Sequence, residues 1–265
     1  MLRSAAKNFR DVTVVCDPSD YAGIIEEIAA NGNTLPETRL KLSAKAYTHT
    51  ALYDSHIATY MRKAAGLDEK LFLSFDAIQT LRYGENPHQA AAFYRAPQEV
   101  SYSVAHARQL GGKELSYNNI QDANAALNIV REFSEPFCVA LKHMNPCGAG
   151  IGKDLLEAWT RAYEADKVSI YGGIVAMNRP LTAEVARQMK PIFLEIVMAP
   201  SFEPEALEVL ASKKNLRLLE VTMDNVKAPQ KQYVSVNGGM LVQDADTECK
   251  EITADMCVTC LLYTS

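Results

Sequence analysis

A lysine and a histidine stand side by side at positions 142 and 143, followed by Met144, Asn145, Pro146, Cys147, Gly148, Ala149 and Gly150. The apolar run at 137–141 (FCVAL) leads straight into them. The pair is therefore expected where a short buried strand ends and a glycine-bearing loop opens toward a helix. Ligands in α/β folds gather beyond the carboxyl ends of strands, so chemistry is expected here. A neutral imidazole accepts a proton near pH 7, and an ammonium group steadies a developing negative charge. Neighbours on a strand point to opposite faces, so the chain must bend for Lys142 and His143 to serve one substrate. The Asn-Pro step and the glycines supply such a bend. On local sequence alone, a solvated strand end with an ordinary histidine contact fits equally well.

A second polar cluster is Leu81, Arg82, Tyr83, Gly84, Glu85, Asn86, Pro87, His88 and Gln89. The planar donor fork of Arg82 suits phosphate, and Tyr83 can stack on a base. Judged by spacing alone, an ordinary polar turn is the simpler account. Gly172 and Gly173 lie inside the apolar run 168–177, which reads as a strand. Glycine in a strand marks a close backbone approach or a bulge. Glu195 is a lone carboxylate within the apolar run 193–198, either a ligand contact or a solvent-face residue.

Two metal readings are set aside. Pro146-Cys147 is similar to the PCxxC half of zinc deaminases, but Gly150 occupies the second cysteine position and no histidine begins an HxE. No catalytic zinc is expected. Cys257 and Cys260 form a CxxC with no second ligand pair at metal-site spacing, close to the chain end where order is least expected.

The elements that would position these residues alternate along the chain. Residues 11–16 read as a strand, 17–19 as a turn and 20–30 as a helix. Thr34 and Glu37 match a capping box for a helix running to Lys63, with Leu40, Tyr47, Ala51, Ile57 and Met61 along one stripe. Gly66 and the charged run 68–70 end it. Strands are expected at 78–83, 90–94, 137–141, 168–177 and 194–199. Helices are expected after an Asn118 or Asn119 cap, after Asp154, after Thr182 and at 204–212. Alternation of this kind is α/β.

Composition agrees with a packed core: 48% hydrophobic and 22% charged residues in 265. The net charge of −5 argues against nonspecific nucleic-acid binding. No run approaches the roughly 18 apolar residues of a membrane span. No signal-peptide pattern follows the first residues, and the six cysteines are scattered, so reduced thiols and a cytoplasmic setting are expected.

Seven segments, in order, resemble the bifunctional AICAR transformylase/IMP cyclohydrolase family of purine biosynthesis, AICAR being the aminoimidazole carboxamide ribonucleotide. They are LRSAAKN (2–8), VTVVCDPSDY (12–21), LRYGENPHQ (81–89), LSYNNIQDANAA (115–126), ALKHMNPCGAG (140–150), YGGIVAMNRPL (171–181) and EIVMAP (195–200). The resemblance implies a Rossmann-like cyclohydrolase domain followed by a transformylase domain of two cytidine-deaminase-like halves without zinc. Residues 1–64 would be the C-terminal part of the first domain and 65–247 the first half of the second. Residues 248–265 depart from the pattern and are expected to be a non-native or disordered tail.

The same resemblance implies residue roles. His143 would take a proton from the attacking amine of AICAR, and Lys142 would steady the oxyanion or the proton transfer. Lys7 would be the catalytic lysine of cyclisation. Arg82, Tyr83, Gly172 and Glu195 would bind substrate, Glu195 with a match in type that is partial if the family carries aspartate. The formyl donor would be 10-formyltetrahydrofolate, the product formylated AICAR and then IMP, and the working form a homodimer. A chain lacking the remaining parts is expected to turn over little. A noncatalytic nucleotide-binding module keeping Arg82 and Tyr83 is the reading from another class, and the Lys142–His143 pair speaks against it.

Overall fold

A computed structural model describes residues 1–224, 231–246 and 253. The Cys257–Cys260 pair lies outside them, as does nearly all of 248–265. Two compact units emerge. One holds Met1–Glu99 with Leu115–Asn118, the other Val100–Glu114 with Asn119 onward.

The first unit is built on a long helix. Its elements are α1 (Leu2–Lys7), a 3-10 turn (Pro18–Asp20), α2 (Tyr21–Asn31), α3 (Pro36–Ala64) and an antiparallel pair, β1 (Asp76–Leu81) and β2 (Ala91–Arg95). Its small helical core is Ala6, Val14, Leu42 and Ala46. The Ser43 hydroxyl donates to the Ala6 carbonyl at 2.8 Å, tying α1 to α3.

Three expectations fail in this unit. Residues 11–16 form no strand. Val14 is buried against helices, and no described strand offers this segment the ladder that strand hydrogen bonds require. Thr34 and Glu37 do not form a capping box. Pro36 occupies the first helical turn and Leu35 the cap. The Thr34 hydroxyl bonds instead with that of Thr13 at 2.6 Å. The Glu27 carboxylate of α2 takes the Leu35 N–H at 3.1 Å and the Thr38 hydroxyl at 2.7 Å. The expected apolar stripe on α3 is not a core face. Leu40 and Met61 are 54% and 56% exposed, and burial is confined to Leu42, Ser43 and Ala46.

The second unit is a six-stranded mixed sheet. Its strands are β3 (Arg108–Gly111), β4 (Phe137–Lys142), β5 (Asn145–Ile151), β6 (Gly173–Met177), β7 (Leu194–Ala199) and β8 (Arg217–Glu220), in the order β3-β8-β7-β6-β4-β5. β6, β7 and β8 run parallel, while β3, β4 and β5 join antiparallel. The helices are α4 (Tyr117–Val130), α5 (Leu155–Ala165), α6 (Ala183–Met189) and α7 (Pro204–Leu210). A separate hairpin of β9 (Lys231–Val236) and β10 (Gly239–Asp244) follows.

The α/β expectation holds, with caps where the sequence placed two of them. Asp154 Oδ1 accepts the Glu157 N–H at 2.9 Å, and Thr182 Oγ1 accepts that of Val185 at 3.4 Å. Asn118 and Asn119 are not caps but lie inside α4. The run 168–177 is not one strand: a turn occupies 167–172, and β6 begins only at Gly173. Asp166 draws that turn together by accepting the N–H groups of Val168 at 3.0 Å and Ser169 at 2.8 Å.

One sheet face is covered by α5, α6 and α7, whose Trp159, Val185, Met189 and Leu210 pack with Ala140, Val175 and Val197. β5 lies unusually close to α5. A Cβ at Gly148 would stand 2.0 Å from the Ala162 carbonyl oxygen, and one at Gly150 2.4 Å from that of Ala158. Among the described residues no helix is long and apolar enough to cross a membrane.

Packing and charge each lead to a stability measurement. Gly148→Ala forces β5 from α5 and lowers stability by about 1–3 kcal/mol or more. Gly23→Ala, in open space on α2, raises it by about 0.5–1 kcal/mol; urea midpoints of the two variants check both signs. The charge effect concerns Lys45, which grips Asp17 at 2.6 Å and Asp20 at 2.8 Å. The Lys45 hydrogen bond, then those from Ser19, holds the Asp17 carboxyl well below its ordinary 3.8. The hydrogen bonds to Asp17 and then Asp20 push Lys45 from 10.5 up to about 12. The depressed aspartate contributes above pH 3.8 and is lost as pH falls through its folded value. The raised lysine contributes below pH 10.5 and is lost as pH rises through about 12. The stability gap between the parent and Lys45→Met is therefore flat from pH 5 to 9 in thermal unfolding, and a gap that closes within that range contradicts this ion pair.

Candidate functional site at one end of the mixed sheet

The expected loop after Lys142 is a β-hairpin. Lys142 ends β4 and pairs with Asn145, the first residue of β5. Only His143 and Met144 lie between, with φ of 52° and 63°. Positive φ at both central residues is the requirement of a type I′ turn, usually met by Asn-Gly. Neither residue here is glycine, and each left-handed non-glycine residue costs about 1–3 kcal/mol unless its surroundings hold it. The turn supplies the bend between Lys142 and His143. The glycines of this segment are not a cradle for a ligand, because Gly148 and Gly150 serve the close contact of β5 with α5.

Three contacts hold the tip. Asp122 Oδ1, from α4, accepts the Met144 N–H at 2.8 Å. Asn145 Nδ2 donates to the His143 carbonyl at 2.8 Å. Lys142 Nζ donates to the Tyr171 carbonyl at 3.2 Å. Lys142 and His143 are both exposed.

Antiparallel pairing brings the carboxyl end of β4 beside the amino ends of β6 and β7. Lys142, Gly172 and Glu195 thus share one end of the sheet. Glu195 is two strands from Lys142, about 10 Å at ordinary strand spacing. Gly172 has φ of 75° and donates its N–H to the Phe193 carbonyl at 2.7 Å. It precedes β6 instead of interrupting a strand, and its left-handed backbone is the reason for glycine. Glu195 is half-buried and paired: its Oε2 accepts from Arg217 Nη1 at 2.8 Å, and Arg217 Nε donates to the Glu114 carbonyl at 3.0 Å.

Arg82, Tyr83 and Lys7 belong to the first unit. Arg82 is exposed and stands over the Tyr83 ring, 5.9 Å from its centroid. The loop beyond is closed by Gly84 N–H on the Gln89 carbonyl at 2.8 Å and by Asn86 N–H on Gln89 Oε1 at 2.8 Å. Lys7 is the exposed last residue of α1.

Sequence reasoning passed over Asp122, Arg217 and Asn178. Asn178, buried at the end of β6, accepts from Phe137 N–H at 2.9 Å and donates to the Phe133 and Glu135 carbonyls at 2.9 and 2.8 Å. It fixes the entry into β4. Each of these residues has an ordinary local pattern, and the signal that singles it out is a contact made only in the folded chain. Among the described residues no group of three or more His, Cys, Asp and Glu could hold a metal ion.

The fold and site thus define an α/β chain with a mixed sheet and a lysine–histidine hairpin at one end. A model of the AICARFT/IMPCHase bienzyme family matches residues 5–261, and the chain belongs to that family. The bifunctional purine biosynthesis protein PurH of a Bacillus cereus strain is 56% identical over 249 residues, covering 93% of this chain and 49% of that protein. PurH of Halalkalibacterium halodurans is 55% identical over 249 residues with the same coverage, 93% and 49%. The chain spans about half the length of the curated relatives it matches.

Cys147 adjoins the candidate pair, and its reactivity is set by burial. Desolvation pushes its thiol up, and its Sγ donates to the Ala140 carbonyl at 3.5 Å. Iodoacetamide therefore labels Cys147 slowly at pH 7.5 and faster as pH rises past 9, read by peptide mass spectrometry. Rapid labelling at neutral pH contradicts a thiol held up by partial desolvation.

Proposed function

We propose that this chain carries part of the machinery that formylates AICAR with 10-formyltetrahydrofolate and closes the product to IMP in de novo purine biosynthesis. The observation that carries the reading is the hairpin tip, where Lys142 and His143 adjoin in a turn held by Asp122 and Asn145. Family membership supports the substrates. In this reading residues 1–64 are the C-terminal part of a Rossmann-like cyclohydrolase domain. Residues 65–247 are the first cytidine-deaminase-like half of the transformylase domain, and the working form is a cytoplasmic homodimer.

The AICAR amine is conjugated with its ring and is a weak nucleophile. A base placed at the moment of attack answers that weakness. The amine nitrogen bonds to the formyl carbon, and His143 takes its proton. The carbonyl oxygen gains negative charge, which the Lys142 ammonium stabilises. The bond from the formyl carbon to the folate nitrogen then breaks, and that nitrogen leaves protonated. Arg82 offers its donor fork to the phosphate and Tyr83 its ring to the base. Gly172 lets the ligand approach the backbone at the start of β6. Glu195, fixed through Oε2 by Arg217, accepts a ligand N–H or O–H on Oε1. Lys7 serves the cyclisation, in which the carboxamide nitrogen attacks the formyl carbon and water is lost.

Calorimetry of AICAR with the chain tests the reading. Saturable binding is expected, weakened about 10- to 100-fold by Arg82→Ala, the range for hydrogen bonds to a charged group. His143→Ala is expected to leave affinity within about twofold, because a base acts on the transition state and not on ground-state binding. Saturable binding that ignores Arg82→Ala removes the phosphate role, and absent binding removes the AICAR reading for this chain.

A further inference from the structure

We propose that Asp122 is a positioning residue for His143, its carboxylate clamping the peptide that holds the imidazole-bearing turn in its left-handed form. The proposal rests on the role given to His143 above.

The His143 carbonyl and the Met144 N–H are two ends of one peptide group. Asn145 Nδ2 grips the carbonyl end at 2.8 Å, and Asp122 Oδ1 grips the N–H end at 2.8 Å. Together they fix the rotation of that peptide, which sets ψ of His143 and φ of Met144. Met144 has reason to leave. Its φ of 63° is a conformation that unbranched non-glycine residues seldom adopt. A simple flip of the central peptide to type II′ would return Met144 to negative φ but leave His143 in a region reserved for glycine, so an unclamped turn opens instead. The opening breaks both side-chain contacts and turns the His143 side chain relative to Lys142, whose ammonium is tethered to the Tyr171 carbonyl.

Of the two grips, Asp122 is the stronger and the more independent. A carboxylate accepting an N–H makes a charge-assisted bond, whereas Asn145 offers a neutral amide. Asn145 also belongs to the hairpin and moves with it, while Asp122 stands on α4. No helical cap explains Asp122, because it lies beyond the first turn of α4, which begins at Tyr117. Its observed contact is with the turn.

Nuclear magnetic resonance of the full chain tests this without turnover. Five histidines give five ring C–H signals, and His143→Gln assigns the relevant one. In Asp122→Ala the Met144 amide exchanges about 10- to 100-fold faster, as for a lost hydrogen bond to a charged group. The His143 ring signal moves, while those of His49, His56, His88 and His106 stay. Asp122→Asn keeps an acceptor oxygen in place and remains close to the parent. Asp122→Ala combined with Met144→Gly returns the His143 signal toward the parent, because glycine at 144 has no steric reason to leave the left-handed region. That rescue separates a clamp on this peptide from a general structural role. If Asp122→Ala fails to fold, Asp122→Ser, with a hydroxyl too short to reach, is read in its place. An unmoved His143 signal, or a shift that glycine at 144 does not reverse, overturns the proposal. AICAR is then added to the parent. A His143 signal blind to AICAR yet sensitive to Asp122 sinks the functional reading and leaves the clamp standing.

Discussion

The backbone of β5 lies on the backbone of α5 with no side chain between them. Gly148 and Gly150 permit this, since a methyl group at either would overlap a carbonyl oxygen of α5. Much at the lysine–histidine end of the sheet follows from that contact. With α5 seated on it, β5 is fixed as an edge strand against β4. The register of β4 and β5 then leaves two residues for the connection, and a two-residue connection demands left-handed backbone. A bulkier β5 would let α5 lift and the register loosen. The strain at His143 and Met144 is therefore imposed from the sheet, and Asp122 and Asn145 hold it at the tip.

Topology decides which residues meet this tip. Because β4 runs against β6, its carboxyl end is adjacent to the start of β6 and, one strand further, to the start of β7. The Tyr171 carbonyl and Gly172 precede β6, and Glu195 sits at the start of β7. β4 and β3 present their carboxyl ends here, while β6, β7 and β8, parallel to one another, present their amino ends. Through the antiparallel insertion of β4, polar groups from three strands stand along one end, separated by strand spacings.

What the sequence made legible was whatever depends on near neighbours. The 137–141 run became β4, and the Asp154 and Thr182 caps form as their spacing requires. The capping box at Thr34 failed because Thr13, over twenty positions away, competes for its hydroxyl, and Glu27 of α2 serves the helix start instead. The valine-rich 11–16 segment has strand propensity but meets helices, and propensity without a partner strand does not make a ladder. The candidate site divides along the same line. Lys142 and His143 were legible at a strand end, whereas Gly172 read as lying inside a strand and Glu195 as either a ligand contact or a solvent-face residue. The residues that hold them, Asp122, Asn178 and Arg217, were not legible, because each acts across more than twenty positions on a main-chain group or a charge of another element.

A strained hairpin tip is a good place for a base, for a reason independent of this family. A histidine on a relaxed loop samples many orientations, and each must be given up when a substrate reacts. In a two-residue turn whose central peptide is gripped at both ends, that entropy is lost during folding, before any ligand arrives. Burial of the sheet offsets the cost, drawing on Phe137, Val139 and Leu141 of β4 itself. The side chain can stay exposed while its backbone is fixed, which is what the proton-accepting role proposed for it requires. Rigidity in the main chain and access at the ring are compatible because the clamps act on the peptide and leave the imidazole free.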